Sequence, residues 1–264
     1  MYRATWGGVL HKVKEDLQKG RYVCFSGTPC QIEGLLTYVG EDYSNLFTVD
    51  VVCHGISSPL VWKKYLEFMR QNGIDADYAF FRKKHYGYKY STMSLMHNKK
   101  EIYYNGVETD PMLRAYFDNI CDMELCYSCP FKKRYRKSDI TIWDCFAPSE
   151  YIKKFDDDKG TSKLLVHSTK GMQLVSNLIK KNYVRAFEVD PNLLVHDVRE
   201  MVRSVNKKVE RAQFLEDAAT LSPKELFSKW YPISLKTRIK KTARLLLVKL
   251  GIYQTIRRLY WRIT

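Results

Sequence analysis

Two apolar stretches that each run straight into a turn and then a helical pattern constrain this chain most. Residues 21–26 have the β-branched and aromatic make-up of a short buried strand. Gly27-Thr28-Pro29 then turns the chain, and residues 30–39 place Ile32, Leu35, Leu36 and Val39 on one helical face. Residues 47–52 repeat the strand signal, and Pro59 opens a helix to about residue 72 with Val61, Tyr65, Phe68 and Met69 inward. Ahead of both, Leu10, Val13 and Leu17 have helical spacing and Gly20 ends the segment. Helices and strands alternating at this spacing predict parallel α/β layering.

The middle of the chain reads differently. Residues 78–82, 90–96 and 101–104 are strands rich in Tyr and Phe, with a turn expected at Asn105-Gly106. A helix over 110–120, strands over 140–142 and 163–167, a polar loop at 156–160 and a helix over 170–181 follow. The expected class is α/β, a mostly parallel layered sheet with an antiparallel insert and a C-terminal helical tail. The expected division is residues 1–200 as one domain and 201–264 as a basic helical tail.

Charge separates the same two parts. The chain carries 44 Lys and Arg against 29 Asp and Glu, a net +15. Nine of the basic residues and no acidic ones fall in 235–264, leaving 35 basic against 29 acidic before them. Most of the basicity thus belongs to the tail, which argues against a nucleic-acid partner. At 45% hydrophobic and 28% charged the chain is not disordered. No apolar run approaches the ~18 residues of a membrane span, and the opening Met1-Tyr2-Arg3-Ala4-Thr5 lacks the plan of a signal peptide. The expected location is cytoplasmic, where seven Cys point to metal or redox chemistry ahead of disulfides.

Three segments carry that chemistry. Cys126-Tyr127-Ser128-Cys129-Pro130 puts two thiols on one tight turn, with a proline that rigidifies the chain and withholds a donor. Alone, the pair fits an iron–sulfur cluster, half a zinc site, a redox dithiol or two inert thiols. Ser26-Gly27-Thr28-Pro29-Cys30-Gln31 joins strand to helix, where free N–H groups favour a thiolate or an anion; the plain alternative is a tight turn with a buried Cys. Cys53-His54-Gly55 follows the second strand, and carboxyl ends of parallel strands gather at a ligand crevice. Cys30, Cys53, Cys126 and Cys129 make the four thiolates a cubane cluster needs. Cys24 is expected in the core, Cys121 is the substitute ligand, and Cys145 is unplaced. There is no P-loop and no G-x-G-x-x-G.

Together these segments resemble the beta-subunit family of coenzyme F420 hydrogenases and dehydrogenases. The matching stretches are Phe25 to Gln31 with Gly34-Leu35, Val49-Asp50 with Cys53-His54-Gly55, Pro59 with Val61-Trp62, Cys126 to Phe131, Ser138 to Ile142, and Asp157-Asp158-Lys159-Gly160. The resemblance implies an iron–sulfur flavoprotein that passes electrons between a [4Fe-4S] cluster, FAD and a hydride acceptor such as coenzyme F420, beside a redox partner subunit. It makes Cys126 and Cys129 the cluster pair and Cys30 and Cys53 the other two ligands. It places Gly27, Thr28, Pro29, Gln31, His54 and Gly55 near cluster or flavin, and Lys132, Arg136 and Asp139 near the flavin and its phosphates. Members usually begin with a ferredoxin-like segment, so a fragment or a partner-supplied segment is expected. Where the family commonly has Gly-Asp-Phe-Trp-Gly, this chain has Trp143-Asp144-Cys145-Phe146-Ala147, which counts against F420 itself. The alternatives are an accessory electron-transfer subunit tied to polysaccharide synthesis, as for some bacterial members, and a structural zinc protein.

In the tail, Lys236, Lys240 and Arg244 share helical spacing opposite Leu235, Ile239, Leu246 and Ile256, with Tyr260 and Trp261 near the end. Such a helix either packs on a domain or partner subunit, or lies peripherally on the anionic inner face of the membrane, at about 1 kcal/mol per basic residue.

Overall fold

The computed structural model describes residues 6–88, 90–152, 155, 157, 159–250 and 252–253. The chain forms two compact units that interleave along the sequence. One combines 2–55 with 125–205; the other combines 56–124 with 206–264.

The first unit is built on a four-stranded sheet. After α1 (Trp6–Gln18), β1 (Val23–Gly27) leads through α2 (Pro29–Val39) to β2 (Leu46–Val51), and β6 (Ile140–Cys145) and β7 (Thr161–Val166) complete the order β1-β2-β6-β7. The first three strands are parallel, with Gly27 opposite Asp50 and Asp50 opposite Thr141; β7 returns antiparallel to β6. Val13, Leu17, Phe25, Ile32, Leu35, Val39 and Leu46 close one core between α1, α2 and the sheet. Burying such aliphatic side chains is worth about 1.5–3 kcal/mol each. Phe25 faces that core, and by the alternation of a strand Cys24 does not. Cys24 is exposed, so the expectation that it is a core residue fails. Helices α5 (Thr169–Lys180), α6 (Pro191–Val195) and α7 (Arg199–Val202) belong to the same unit.

The second unit holds the antiparallel sheet β3 (Tyr78–Phe80), β4 (Thr92–His97) and β5 (Lys100–Gly106), with α3 (Pro59–Gln71), α4 (Pro111–Phe117), α8 (Arg211–Thr220), α9 (Pro223–Trp230) and α10 (Leu235–Lys249). Its core joins Val61, Tyr65 and Met69 of α3 to Met93, Leu95, Met112, Phe214, Leu226 and Phe227. The sequence pattern reads α3 as another helix of the parallel layer, whereas its apolar face closes the core of this unit. The hairpin turn is also displaced. Asn105 and Gly106 end β5, and the turn is Asn98-Lys99, both at positive φ as a two-residue hairpin of the mirror-image type requires. The 3.6-residue and two-residue periods are local and legible; which sheet an amphipathic helix covers is not. Of the tail residues singled out by pattern, Ile256, Tyr260 and Trp261 lie outside the described residues.

Candidate functional site

Three chain segments of the first unit meet at the carboxyl edge of its parallel strands. Thr28 is the N-cap of α2 and Pro29 its first residue, so Cys30 stands exposed in the first helical turn. Its Sγ lies 3.1 Å from the Thr28 hydroxyl. Gln31 turns its side chain back, and its Oε1 accepts the Thr28 N–H at 2.8 Å. That return explains Gly27: a Cβ there would stand 2.8 Å from Gln31 Oε1 and 3.1 Å from its Cβ. Gln31 therefore acts on the turn itself.

Cys53, His54 and Gly55 follow β2. The Lys132 ammonium donates to the carbonyls of Cys53, His54 (3.2 Å) and Glu200 (3.0 Å), so one half-buried cation pins this turn to the segment after the C-x-x-C pair. Cys126 lies in a short 3-10 helix, Glu124–Ser128. The Cys129 N–H donates to Ser204 Oγ at 2.9 Å, and Lys133 pairs with Glu33 of α2 at 3.1 Å. These bonds lay residues 126–136 across the starts of α2 and the Cys53 turn.

The electrostatics of Cys53 report how close the thiols come. Burial pushes its thiol up to about 11; Lys132 opposes that rise, and Cys126, Cys30 and Cys129 each add to it. Burial lowers the Lys132 ammonium, while the nearby Cys53 and Cys129 thiols raise it. Cys53 is thus within electrostatic reach of the other three cysteines picked out by sequence, and Lys132 within reach of Cys53 and Cys129. Among the described residues, no group of three or more His, Cys, Asp or Glu stands close enough to hold one metal ion.

Arg136 is buried with Asp50. Nη1 donates to Asp50 Oδ1 at 3.1 Å and to the Val51 carbonyl at 3.2 Å, and Nε donates to the Lys133 carbonyl at 2.9 Å. Their side chains are 2% and 1% exposed. Nη2, and Nε1 of Trp143 on β6, are buried with no hydrogen-bond partner among the described residues. The sequence left Asp50 without a role, although a lone carboxylate in the apolar run 47–52 was the available signal.

Asp139 goes elsewhere. It precedes β6, at the edge opposite to the one that Cys30 and Cys53 follow. There it accepts the Thr48 N–H at 2.8 Å, the Thr48 hydroxyl at 3.0 Å and the Ser168 hydroxyl at 2.5 Å. With Lys137 and Lys170 it lines a cavity of about 380 Å³. Asp139 thus ties β2 to the start of α5 and is not brought to the thiols. Cys121 is fully buried in the core of the second unit, where burial pushes its thiol up to about 12. Cys145 is buried at the end of β6.

The model of the family described as coenzyme F420 hydrogenase/dehydrogenase, C terminus of the beta subunit, matches residues 20–192. The chain belongs to this family. No curated protein matches the chain. The beta-subunit match takes in all four converging cysteines with Lys132, Arg136 and Asp50, and it makes this a redox-related domain. It stops before α8, α9 and α10.

Proposed function

We propose that this beta-subunit domain is an iron–sulfur flavoprotein that relays electrons for a partner subunit, with Cys30, Cys53, Cys126 and Cys129 holding a [4Fe-4S] cluster. The observation that carries the reading is that Cys53 lies within electrostatic reach of Cys30, Cys126 and Cys129, with Lys132 beside Cys53 and Cys129. The proline directly after Cys129 and the match to a hydrogenase and dehydrogenase subunit favour the cluster over structural zinc. The donors of Arg136 and Trp143 fit FAD. A buried donor without an acceptor costs about 1–3 kcal/mol, and phosphate or ring oxygens would recover it.

When bound, the cluster supplies one-electron transfer, and the flavin exchanges single electrons for a hydride. The chain's own residues position and tune. Cys30 sits in the first turn of α2, exposed at the carboxyl edge of the parallel strands. Lys132 fixes the Cys53 turn and offsets thiolate charge. Arg136 holds residues 126–136 to β2 through Asp50.

Anaerobic purification with iron, sulfide and flavin analysis tests this. A brown protein with equal iron and sulfide and releasable FAD is expected. Replacing Cys126 and Cys129 by Ser should abolish iron binding. A colourless chain with stoichiometric zinc would overturn the cluster, and unchanged iron in the double variant would overturn the ligand set.

A further inference from the structure

Helix α10 is seated the opposite way from an ordinary surface helix. At about 3.6 residues per turn, Leu235, Ile239, Thr242, Leu246 and Leu250 form one stripe roughly 22 Å long. A helix packing on its own domain would bury that stripe. Here it faces out, with Leu235 73%, Ile239 60%, Leu246 56% and Leu250 68% exposed.

The helix is instead docked through a cation. Arg244 bonds both carboxylate oxygens of Glu108, at 2.6 and 2.7 Å, and its guanidinium lies over the Tyr86 and Tyr90 rings at 5.4 and 4.4 Å from their centroids. Lys241 is partly buried on the same side, and its burial lowers its ammonium. A bidentate, stacked arginine is a directional anchor, so the outward direction of the stripe is held by geometry.

The surroundings of the stripe say what it faces. Lys236 borders it on one side and Arg238 on the other, both exposed. Residues 235–264 hold nine basic and no acidic residues. A second copy packed along the stripe would bring like charges together. A single helix face is convex and offers no groove for a peptide side chain. Aliphatic residues bordered on both sides by long basic chains suit the boundary between acyl chains and anionic headgroups, with lysine and arginine stems snorkelling upward. No helix among the described residues is long and apolar enough to cross a membrane, so this contact is in-plane. We infer that α10 is a membrane-surface element, oriented by the Arg244–Glu108 clasp, that takes an anionic lipid bilayer as its partner.

Co-sedimentation of the full chain with vesicles of equimolar phosphatidylglycerol and phosphatidylcholine, against phosphatidylcholine alone, tests this. Binding is expected only with the anionic vesicles and should weaken as salt rises. Lys236→Gln with Arg238→Gln should weaken it about fivefold per basic residue. Leu235→Ser, Ile239→Ser and Leu246→Ser together should weaken it at least about a hundredfold. The thermal melt should not change, because these side chains are exposed. No sedimentation at low salt, equal binding to neutral vesicles, or full binding by the triple serine variant each overturns the inference. A vesicle-free dimer that the serine variant abolishes overturns it in favour of a second copy.

Discussion

The Asp50–Arg136 pair should hold the cysteine-bearing segment on the sheet, and removing half of it should be far worse than removing both halves. Asp50→Asn is nearly isosteric, so little packing is lost. It leaves a guanidinium whose side chain is 2% exposed facing only neutral acceptors, the Asn amide oxygen and the Val51 and Lys133 carbonyls, with no counter-charge. An unpaired buried charge of this kind typically costs about 3–5 kcal/mol. Arg136→Met should cost about the same for the complementary reason, since it strands the Asp50 carboxylate on the sheet. The double variant Asp50→Asn with Arg136→Met removes both desolvated charges and should cost less than either single change. Urea unfolding followed by tryptophan fluorescence gives the cycle, and a coupling of at least about 2 kcal/mol is expected. Iron retention under a chelator gives a second reading, with both single variants losing iron faster than wild type. Additive single costs, or an Asp50→Asn change costing less than about 1 kcal/mol, would refute the reasoning.

Three further outcomes follow from described geometry. Burial lifts the Asp110 carboxyl to about 6, above an unfolded value of about 3.9. The folded state therefore binds the proton more tightly, so this stability is complete below about pH 4 and lost as pH rises through about 6. That loss is worth roughly 3 kcal/mol relative to Asp110→Asn in unfolding across that range, and a pH-independent difference rejects it. Lys132→Met frees the carbonyls of Cys53, His54 and Glu200 and removes the cation beside the thiols. The reduction potential of the reconstituted centre should move negative, and Arg at the position should restore most of it; an unmoved potential rejects a charge role. Cys121→Ala should leave iron content unchanged while lowering stability by about 1 kcal/mol or more through the cavity it opens; lost iron would show that Cys121 is a ligand.

Much of the first unit was legible because its signals are local. The strand before Gly27, the proline-led start of α2 and the strand before Cys53 follow from composition and turn chemistry within a few residues. The gathering of Cys30, Cys53, Cys126 and Cys129 was legible from the rule that parallel strands end on one side, together with the family resemblance. What failed depends on register. Cys24 and Phe25 are adjacent, and only strand pairing decides which of them meets α2. Asn98-Lys99 adopts the mirror turn without a glycine, while the more typical Asn105-Gly106 ends a strand. The outward stripe of α10 needed Glu108 and two tyrosines more than a hundred residues away to set its rotation.

The interleaving of the two units bears on how the thiol set comes into being. Cys30 and Cys53 are synthesised before the 56–124 stretch, and Cys126 and Cys129 only after it. That stretch cannot complete its own core until α8 and α9 supply Phe214, Leu226 and Phe227. A nascent chain therefore carries Cys30 and Cys53 without Cys126 and Cys129 while the 73 residues from Cys53 to Cys126 are made. The four come together only by a long-range closure, the slow class of contact in folding. Any loading with metal is thus a late event, and a chain stalled between the two cysteine pairs is the form most open to oxidation.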